Sequence, residues 1–200
     1  MRRLEHRPST LAAAAVVGAV AVAMSVAPLR SVIEQSMLWH MVVQMPLLAL
    51  AGWLAMAAAS APQGRGRLSA WNRYGLTGFI AALMVFAYWM LPLTIDRAVV
   101  LPAVDVMKLV SLLAAGALLR HSFDRAPMVL QLFFVGSAVP MAIWLGVYFA
   151  STDLRLCNAY SLQSQIDAGR GIAGLGVVLG AGWLLGALRG TLGSQRLDGG

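Results

Sequence analysis

The chain has 200 residues, of which 60% are hydrophobic and 12% are charged. Soluble domains are typically about half apolar and about a quarter charged, so this composition predicts that lipid is the main solvent. A net charge of +7 is compatible with a nucleic-acid partner, but the basic residues lie in short segments between apolar runs, as topology signals do. We therefore expect a lipid bilayer, and no nucleic acid, as the partner. The single cysteine, Cys157, excludes an intrachain disulfide.

The first apolar run is either a retained membrane span or a cleaved signal peptide. Arg2, Arg3 and Arg7 precede the run Thr10–Leu29, and a secretory signal has a similar basic start. Its apolar core is usually about 7–15 residues long, however, and a small-residue cleavage site follows it. This run is longer and no clean cleavage site follows, so we interpret it as a retained span.

Six apolar segments are long enough to cross a bilayer core, which needs roughly 20 residues per helix. In chain order they are Thr10–Leu29, Ser36–Ala59, Tyr74–Leu93, Val99–Leu119, Met128–Ala150 and Gly171–Leu188. None alternates as a transmembrane β-strand does, and an isolated span must satisfy its own backbone hydrogen bonds. The predicted fold class is an all-α polytopic membrane bundle of about six transmembrane helices. Residues 1–190 are predicted to form one membrane-embedded domain and residues 191–200 a disordered tail.

The arginines set the orientation, because positive residues are retained on the cytoplasmic side. With the N-terminus inside, ten arginines fall in inner segments and four in outer ones. The inner ones are Arg2, Arg3, Arg7, Arg65, Arg67, Arg73, Arg120, Arg125, Arg189 and Arg196, and the outer ones are Arg30, Arg97, Arg155 and Arg170. Both termini are therefore predicted to be cytoplasmic. Helical spans indicate a bacterial inner membrane, because outer membranes mostly hold barrels.

Two charged residues lie inside the fourth predicted span. Asp105 and Lys108 are three residues apart, so they share a helix face and can pair with each other. One interpretation is structural: the pair stabilises the bundle near the outer interface, and Lys108 extends its ammonium towards water. The other is functional, with the pair handling a ligand or protons, because charges within spans commonly mark such sites.

A histidine lies one turn below the outer end of the second predicted span. At helical spacing Met37, His40, Met41 and Gln44 share a face. Thioether and imidazole ligands together favour Cu(I), although methionine is also an ordinary core residue. Cys157 is a further thiolate candidate or an ordinary loop residue. The other histidines, His6 and His121, are expected to be solvated at the cytoplasmic surface.

Helix contacts and catalytic motifs give weaker signals. Gly176 and Gly180 are four residues apart, as are Gly182 and Gly186, and this spacing permits close contact between helices. The contact is either within the bundle or between two copies of the chain, and the oligomeric state stays open. We find no GxSxG, HExxH, Walker A or CxxC motif, so we predict that the chain is not an enzyme.

Three segments carry a resemblance to a known family. They read WHMVVQMPLLALAG (Trp39–Gly52), YWMLPLTIDRAV (Tyr88–Val99) and SLQSQIDAGRGIAG (Ser161–Gly174). Together they resemble the CtaG-type membrane assembly factors of cytochrome c oxidase. The resemblance implies a polytopic protein that delivers copper to the oxidase. The residues that match the family's motifs are His40, Met41, Trp89, Pro92, Asp96, Ala98, Gln165, Ala168 and Gly169.

The chain departs from this pattern where the family places histidines. Gln44 stands one turn after His40, Met90 follows Trp89, and the fourth predicted span offers Asp105, Met107 and Lys108. A methionine at position 90 retains affinity for Cu(I), which is a soft ion. A fixed ammonium at Lys108 instead repels a cation unless Asp105 neutralises it.

Three functions follow from these observations. The first is copper handling or oxidase assembly, with Cu(I) held near the outer surface by His40, Met37, Met41 and Met90 and passed to an oxidase or another respiratory subunit. The second is a non-catalytic subunit or scaffold of a respiratory or redox complex, in which the metal site has been lost. The third is a small proton-coupled carrier that uses Asp96, Asp105 and Lys108.

Overall fold

The computed structural model describes residues 7–26, 28–33, 35–59 and 70–198, and within these ranges the chain is helical with no β-strand. This confirms the all-α fold class. The helices are α1 (Arg7–Ala23), α2 (Leu29–Ile33), α3 (a π-helical turn, Trp39–Gln44, continued by an α-helix, Met45–Ala59), α4 (Leu76–Trp89), α5 (Pro92–Val100), α6 (Pro102–Phe123), α7 (Met128–Ser151) and α8 (Leu162–Asp198).

Four helical stretches in the described part of the chain are long and apolar enough to cross a membrane. They are Trp39–Ala59, Pro102–Phe123, Met128–Ser151 and Leu162–Arg189. Helices α4 and α5 pass the same test together as one broken span, which raises the number to five. The predicted count of six is not confirmed, because the apolar helix Ser9–Ala23 is shorter than the other spans.

Two prolines divide the region in which two continuous spans, Tyr74–Leu93 and Val99–Leu119, were predicted. Pro92 and Pro102 each occupy the first turn of a helix, where the missing N–H costs nothing. Leu91 and Leu101, which precede them, have extended backbones, as residues before proline usually do. The chain consequently bends by 72° between α4 and α5, and the nine-residue α5 is a separate element.

Glycines permit the closest helix contacts. Helix α3 crosses α6 at Gly52 and Gly116, where an added Cβ would overlap the backbone carbonyl of Leu113 or of Ala49. A side chain at either glycine would therefore force the two helices apart. Helices α7 and α8 make a similar contact, in which a Cβ on Gly146 would lie 2.5 Å from the carbonyl oxygen of Gly169.

The last helix differs in length and contacts from the sequence prediction. It begins at Leu162, within the polar segment predicted as an outer loop, and it continues to Asp198, into the predicted tail 191–200. Gly176 and Gly180 face side chains of α7, as expected for packing within the bundle, whereas a Cβ on Gly182 or Gly186 would meet no atom within 4 Å.

Candidate functional site

The candidate site begins at a change of helical register. Trp39–Gln44 form a π-helical turn, closed by a hydrogen bond from the Met45 N–H to the His40 carbonyl. Pro46 follows directly, and a proline ring clashes with the carbonyl four residues earlier in an α-helix, which favours the wider turn here. The turn buries His40, Met41 and Gln44. Single π-helical turns within helices occur frequently at functional sites.

Four charged or polar side chains form a continuous series beside this turn. Lys108 Nζ lies 2.6 Å from Asp105 Oδ1 and 3.2 Å from His40 Nε2. Arg30 Nη1 lies 3.6 Å from Asp105 Oδ2. We call Arg30, Asp105, Lys108 and His40 the buried polar chain. It joins α2, α6 and the π-helical turn of α3.

Burial distinguishes these contacts from surface ion pairs. Lys108 and His40 are 0% exposed, and Asp105 is 4% exposed. The expectation that Lys108 extends towards water is wrong, because its ammonium is held inside by the Asp105 carboxylate and the His40 imidazole. A buried charge is tolerated when it is paired and hydrogen-bonded, and Lys108 has both kinds of contact.

The contact with Lys108 fixes where a neutral His40 carries its hydrogen. An ammonium group donates hydrogen bonds and accepts none, so His40 Nε2 must be the acceptor. The hydrogen of the neutral imidazole is then on Nδ1, an assignment that follows from the hydrogen-bond network. Nδ1 is buried without a hydrogen-bond partner. The site therefore contains an unused donor in its interior.

This arrangement disfavours a copper ion at His40. One imidazole nitrogen faces an ammonium and the other carries a hydrogen, so neither offers a free lone pair. A histidine that ligates a metal usually donates its second N–H to an acceptor, whereas Lys108 is a donor. Met41 is buried within the turn, Met37 is buried two residues before it, and Met90 is the C-cap residue of α4. An ion that these thioethers held together with His40 would lie next to a fixed positive charge. The Cu(I) ligand set of His40, Met37, Met41 and Met90 therefore stays a prediction, and the ammonium beside His40 counts against it.

A loop between α7 and α8 covers the site. We call residues 152–161 the cap. The Asp96 carboxylate accepts hydrogen bonds from the backbone N–H groups of Asn158 (3.0 Å) and Ala159 (3.1 Å). The Gln165 side chain accepts one from the Leu156 N–H and donates to the carbonyls of Leu154 and Phe149. These contacts hold the cap against the helices.

Two cap residues lie inside the protein. The Tyr160 ring packs edge-on at 6.3 Å from the His40 ring, between centroids, and Tyr160 is 2% exposed. Cys157 is 1% exposed, and it is not an ordinary exposed loop residue. Burial, assisted by the negative charge of Asp96, raises the pKa of the Cys157 thiol to about 11. The thiol is consequently protonated at neutral pH.

The remaining predicted residues have structural contacts. Gln44 donates to the Met24 carbonyl and to Ser25 Oγ, which attaches the end of α1 to α3. Trp89 is buried and donates to Ser111 Oγ on α6. The Asp96 carboxylate binds the N–H groups of Asn158 and Ala159 in the cap.

The sequence did not predict the buried contacts of several residues. Arg30 was interpreted as a topology signal, and Tyr160 carries no motif. His121, expected to be solvated, is 7% exposed: its Nδ1 lies 2.9 Å from Asn72 Nδ2, which also donates to Ser122 Oγ. This network lies at the opposite end of α6 from the buried polar chain. His6 lies outside the described residues.

Comparison of the chain with protein-family models, curated proteins and solved structures finds no match. The resemblance to the oxidase assembly factors therefore stays a prediction from three short motifs.

Proposed function

We propose that the chain is a small proton-coupled carrier of the bacterial inner membrane, and that the buried polar chain is its proton-responsive element. The observation that carries the proposal is the Lys108 ammonium, which is fully buried between a carboxylate and an imidazole in a candidate span. Ionisable groups within spans are rare and costly, and they often belong to proton or substrate pathways in pumps and transporters.

Proton binding at His40 has a direct structural consequence. An incoming proton must take the Nε2 lone pair, because Nδ1 already carries a hydrogen. That lone pair accepts from Lys108, so protonation breaks the Lys108–His40 hydrogen bond and places two cations side by side. Lys108 then either turns away from His40 while it keeps its contact with Asp105, or loses a proton. Both responses change the contact between α3 and α6, which links protonation to a movement of two candidate spans.

The arginine distribution favours a site open to the outer side. With the N-terminus cytoplasmic and α1 counted as a sixth span, the cap lies on the outer face and the buried polar chain lies just beneath it. We therefore propose that protons and substrate enter past the cap. The vesicle assay described next identifies the substrate class.

Transport into vesicles tests the proposal. Wild type and Lys108→Met are reconstituted into vesicles containing a fluorescent pH indicator and challenged with pools of amino acids, organic acids and organic cations. We expect at least one pool to accelerate acidification of the lumen with wild type and not with Lys108→Met. Fluorescence traces that match those of protein-free vesicles for every solute pool would contradict the proposal.

A scaffold role is a second candidate, because two predicted functional residues bind backbone groups instead of a ligand. Gln44 attaches α1 and Asp96 holds the cap. In this role the protein is a non-catalytic subunit of a respiratory or redox complex. It would co-purify with that complex from native membranes, and Lys108→Met would abolish no flux.

Copper delivery ranks below both proposals because of the ammonium beside His40. Loading the purified protein with Cu(I) under reducing conditions distinguishes copper delivery from the carrier and scaffold functions. We expect wild type to retain no more copper than His40→Ala. Stoichiometric copper that disappears in His40→Ala would restore the assembly-factor function.

A further inference from the structure

We propose that Arg30 and Asp96 are positioning residues that connect the buried polar chain to the cap through α5, so that a change at Lys108 alters how firmly the cap is held over His40. The inference rests on the proposed function and names a regulatory element of the same site.

Arg30 connects the buried polar chain to α5. One guanidinium nitrogen faces Asp105 Oδ2 at 3.6 Å, and another donates to the carbonyls of Ala98 (3.2 Å) and Val99 (3.3 Å). These carbonyls belong to the last turn of α5, where helical carbonyls lack partners within the helix and the helix end carries partial negative charge. One side chain therefore binds both the ion pair and the end of α5.

Asp96 connects α5 to the cap. It lies two residues before Ala98 on the same helix, and its two carboxylate oxygens accept the N–H groups of Asn158 and Ala159. These are the two residues directly before Tyr160, whose ring packs against His40. The position of α5 consequently sets the position of the part of the cap that covers the imidazole.

Helix α5 is separated from the helices on both sides of it. It has nine residues, and the residues that flank it, Leu91 and Leu101, have extended backbones. Two non-helical joints therefore attach it to α4 and α6. A helix this short transmits displacement along its length because its hydrogen-bonded turns are shared by both ends.

The link between Lys108 and α5 runs through Asp105. Lys108 and Arg30 share the Asp105 carboxylate, with Lys108 Nζ 2.6 Å from Oδ1 and Arg30 Nη1 3.6 Å from Oδ2, so a change at Lys108 alters how the carboxylate holds Arg30. Arg30 also donates to the carbonyls of Ala98 and Val99, and it carries that change to the last turn of α5. Two sites are coupled when an element between them has two arrangements and contacts at both sites favour one arrangement over the other. Here the biasing contacts are Lys108–His40 at one end and Asp96–cap at the other.

Hydrogen–deuterium exchange of the full-length protein in lipid nanodiscs tests the link. The readout is exchange in peptides that cover the cap, in wild type, Asp96→Asn, Arg30→Gln and Lys108→Met. Asp96→Asn removes one acceptor, so we expect cap exchange to rise roughly tenfold. Arg30→Gln and Lys108→Met leave every hydrogen bond of the cap in place, and we expect each to raise cap exchange at least roughly threefold through α5.

Matched controls separate this link from general destabilisation. Asp167→Asn and Arg170→Gln alter an exposed ion pair on α8, and Leu112→Met alters the core of α6. We expect all three to leave cap exchange at the wild-type rate. Exchange within α7 reports whether each variant is folded. If Lys108→Met is not folded, Arg30→Gln alone tests the link between the buried polar chain and the cap. Arg30 lies at the edge of the site with 23% of its side chain exposed, so we expect its replacement to leave the protein folded.

Two outcomes overturn the link. If cap exchange rises in Asp96→Asn but stays at the wild-type rate in Arg30→Gln and in folded Lys108→Met, α5 does not couple the two ends. If Asp96→Asn has no effect, Asp96 does not hold the cap. Neither outcome decides the carrier proposal, which fails when wild-type vesicles show no solute-dependent proton flux even though the exchange responses are present.

Discussion

Lys108 Nζ lies 3.2 Å from His40 Nε2, and this contact joins two candidate spans whose residues are 68 positions apart in the chain. The same ammonium pairs with Asp105 at 2.6 Å. A single cation therefore connects a carboxylate on its own helix to an imidazole on the neighbouring one. Lys108 is also the only lysine in the chain, which makes its nitrogen a unique position for selective labelling.

Removing Lys108 alone should strongly destabilise the protein. In Lys108→Met the Asp105 carboxylate stays buried without its nearest cation, and breaking one partner of a buried pair typically costs about 3–5 kcal/mol. Arg30 remains near Asp105 and should keep the loss at the lower end of that range. Replacing both partners in Asp105→Leu/Lys108→Met should recover most of the stability, because it removes both charges of the buried pair while Arg30 keeps its hydrogen bonds to Ala98 and Val99. Unfolding in detergent micelles measures these differences. A double variant no more stable than Lys108→Met would contradict the pairing.

The crossing of α3 and α6 should tolerate no side chain at its glycines. Gly116→Ala places a Cβ against the backbone of Ala49, and overpacking of this kind costs about 1–3 kcal/mol or more when backbone must shift. Gly182→Ala is the matched control on α8, where the new Cβ meets nothing within 4 Å. We expect this control to be neutral or stabilising by up to about 1 kcal/mol, since alanine is the better helix former. Equal thermal stability of the two variants would refute the close crossing.

Asn72 should stabilise the other end of α6. Its amide contacts His121 and Ser122, and its carbonyl accepts the Gly78 N–H. Asn72→Ala leaves these buried groups without partners, which costs about 1–3 kcal/mol per unsatisfied group. Gln163→Ala serves as the control, because Gln163 bonds an exposed neighbour on its own helix. Thermal unfolding of both variants checks the expectation, and a loss no greater than that of Gln163→Ala would count against it.

Cys157 should react slowly with maleimide, and the rate should rise with pH. Only the thiolate reacts, and a pKa near 11 leaves about a hundredfold less thiolate at pH 8 than the ordinary value of 9 does. The rate should therefore increase roughly tenfold per pH unit up to the pKa. Asp96→Asn removes a negative charge that raises the pKa, so it should increase the rate at pH 8. A wild-type rate equal to that of the unfolded chain would show that the thiol is not buried.

The apolar pattern predicted the helical class, because lipid-facing segments are continuous and long. It did not predict the element boundaries around Pro92 and Pro102. Proline is compatible both with a kinked span and with a new helix start, and the choice depends on how α5 packs against the rest of the bundle. The interruption after Ala23 likewise depends on tertiary contacts that composition does not contain.

The site was only partly predictable for the same reason. Asp105 and Lys108 are three residues apart, so helical geometry alone places them together. The contact between Lys108 and His40 depends on how α3 packs on α6, and the roles of Arg30 and Tyr160 depend on contacts between distant segments. The methionine pattern near His40 was compatible with a soft metal, but the ammonium that disfavours the ion comes from another helix.

The most direct test of the carrier function is proton flux in the stable double variant Asp105→Leu/Lys108→Met. If the buried ion pair only stabilises the bundle, an apolar replacement that restores stability should also restore function. We predict instead that this variant folds as wild type does and transports no protons with any solute pool that drives flux in wild type. Wild-type flux in the double variant would contradict the proposal and assign the pair to structure alone.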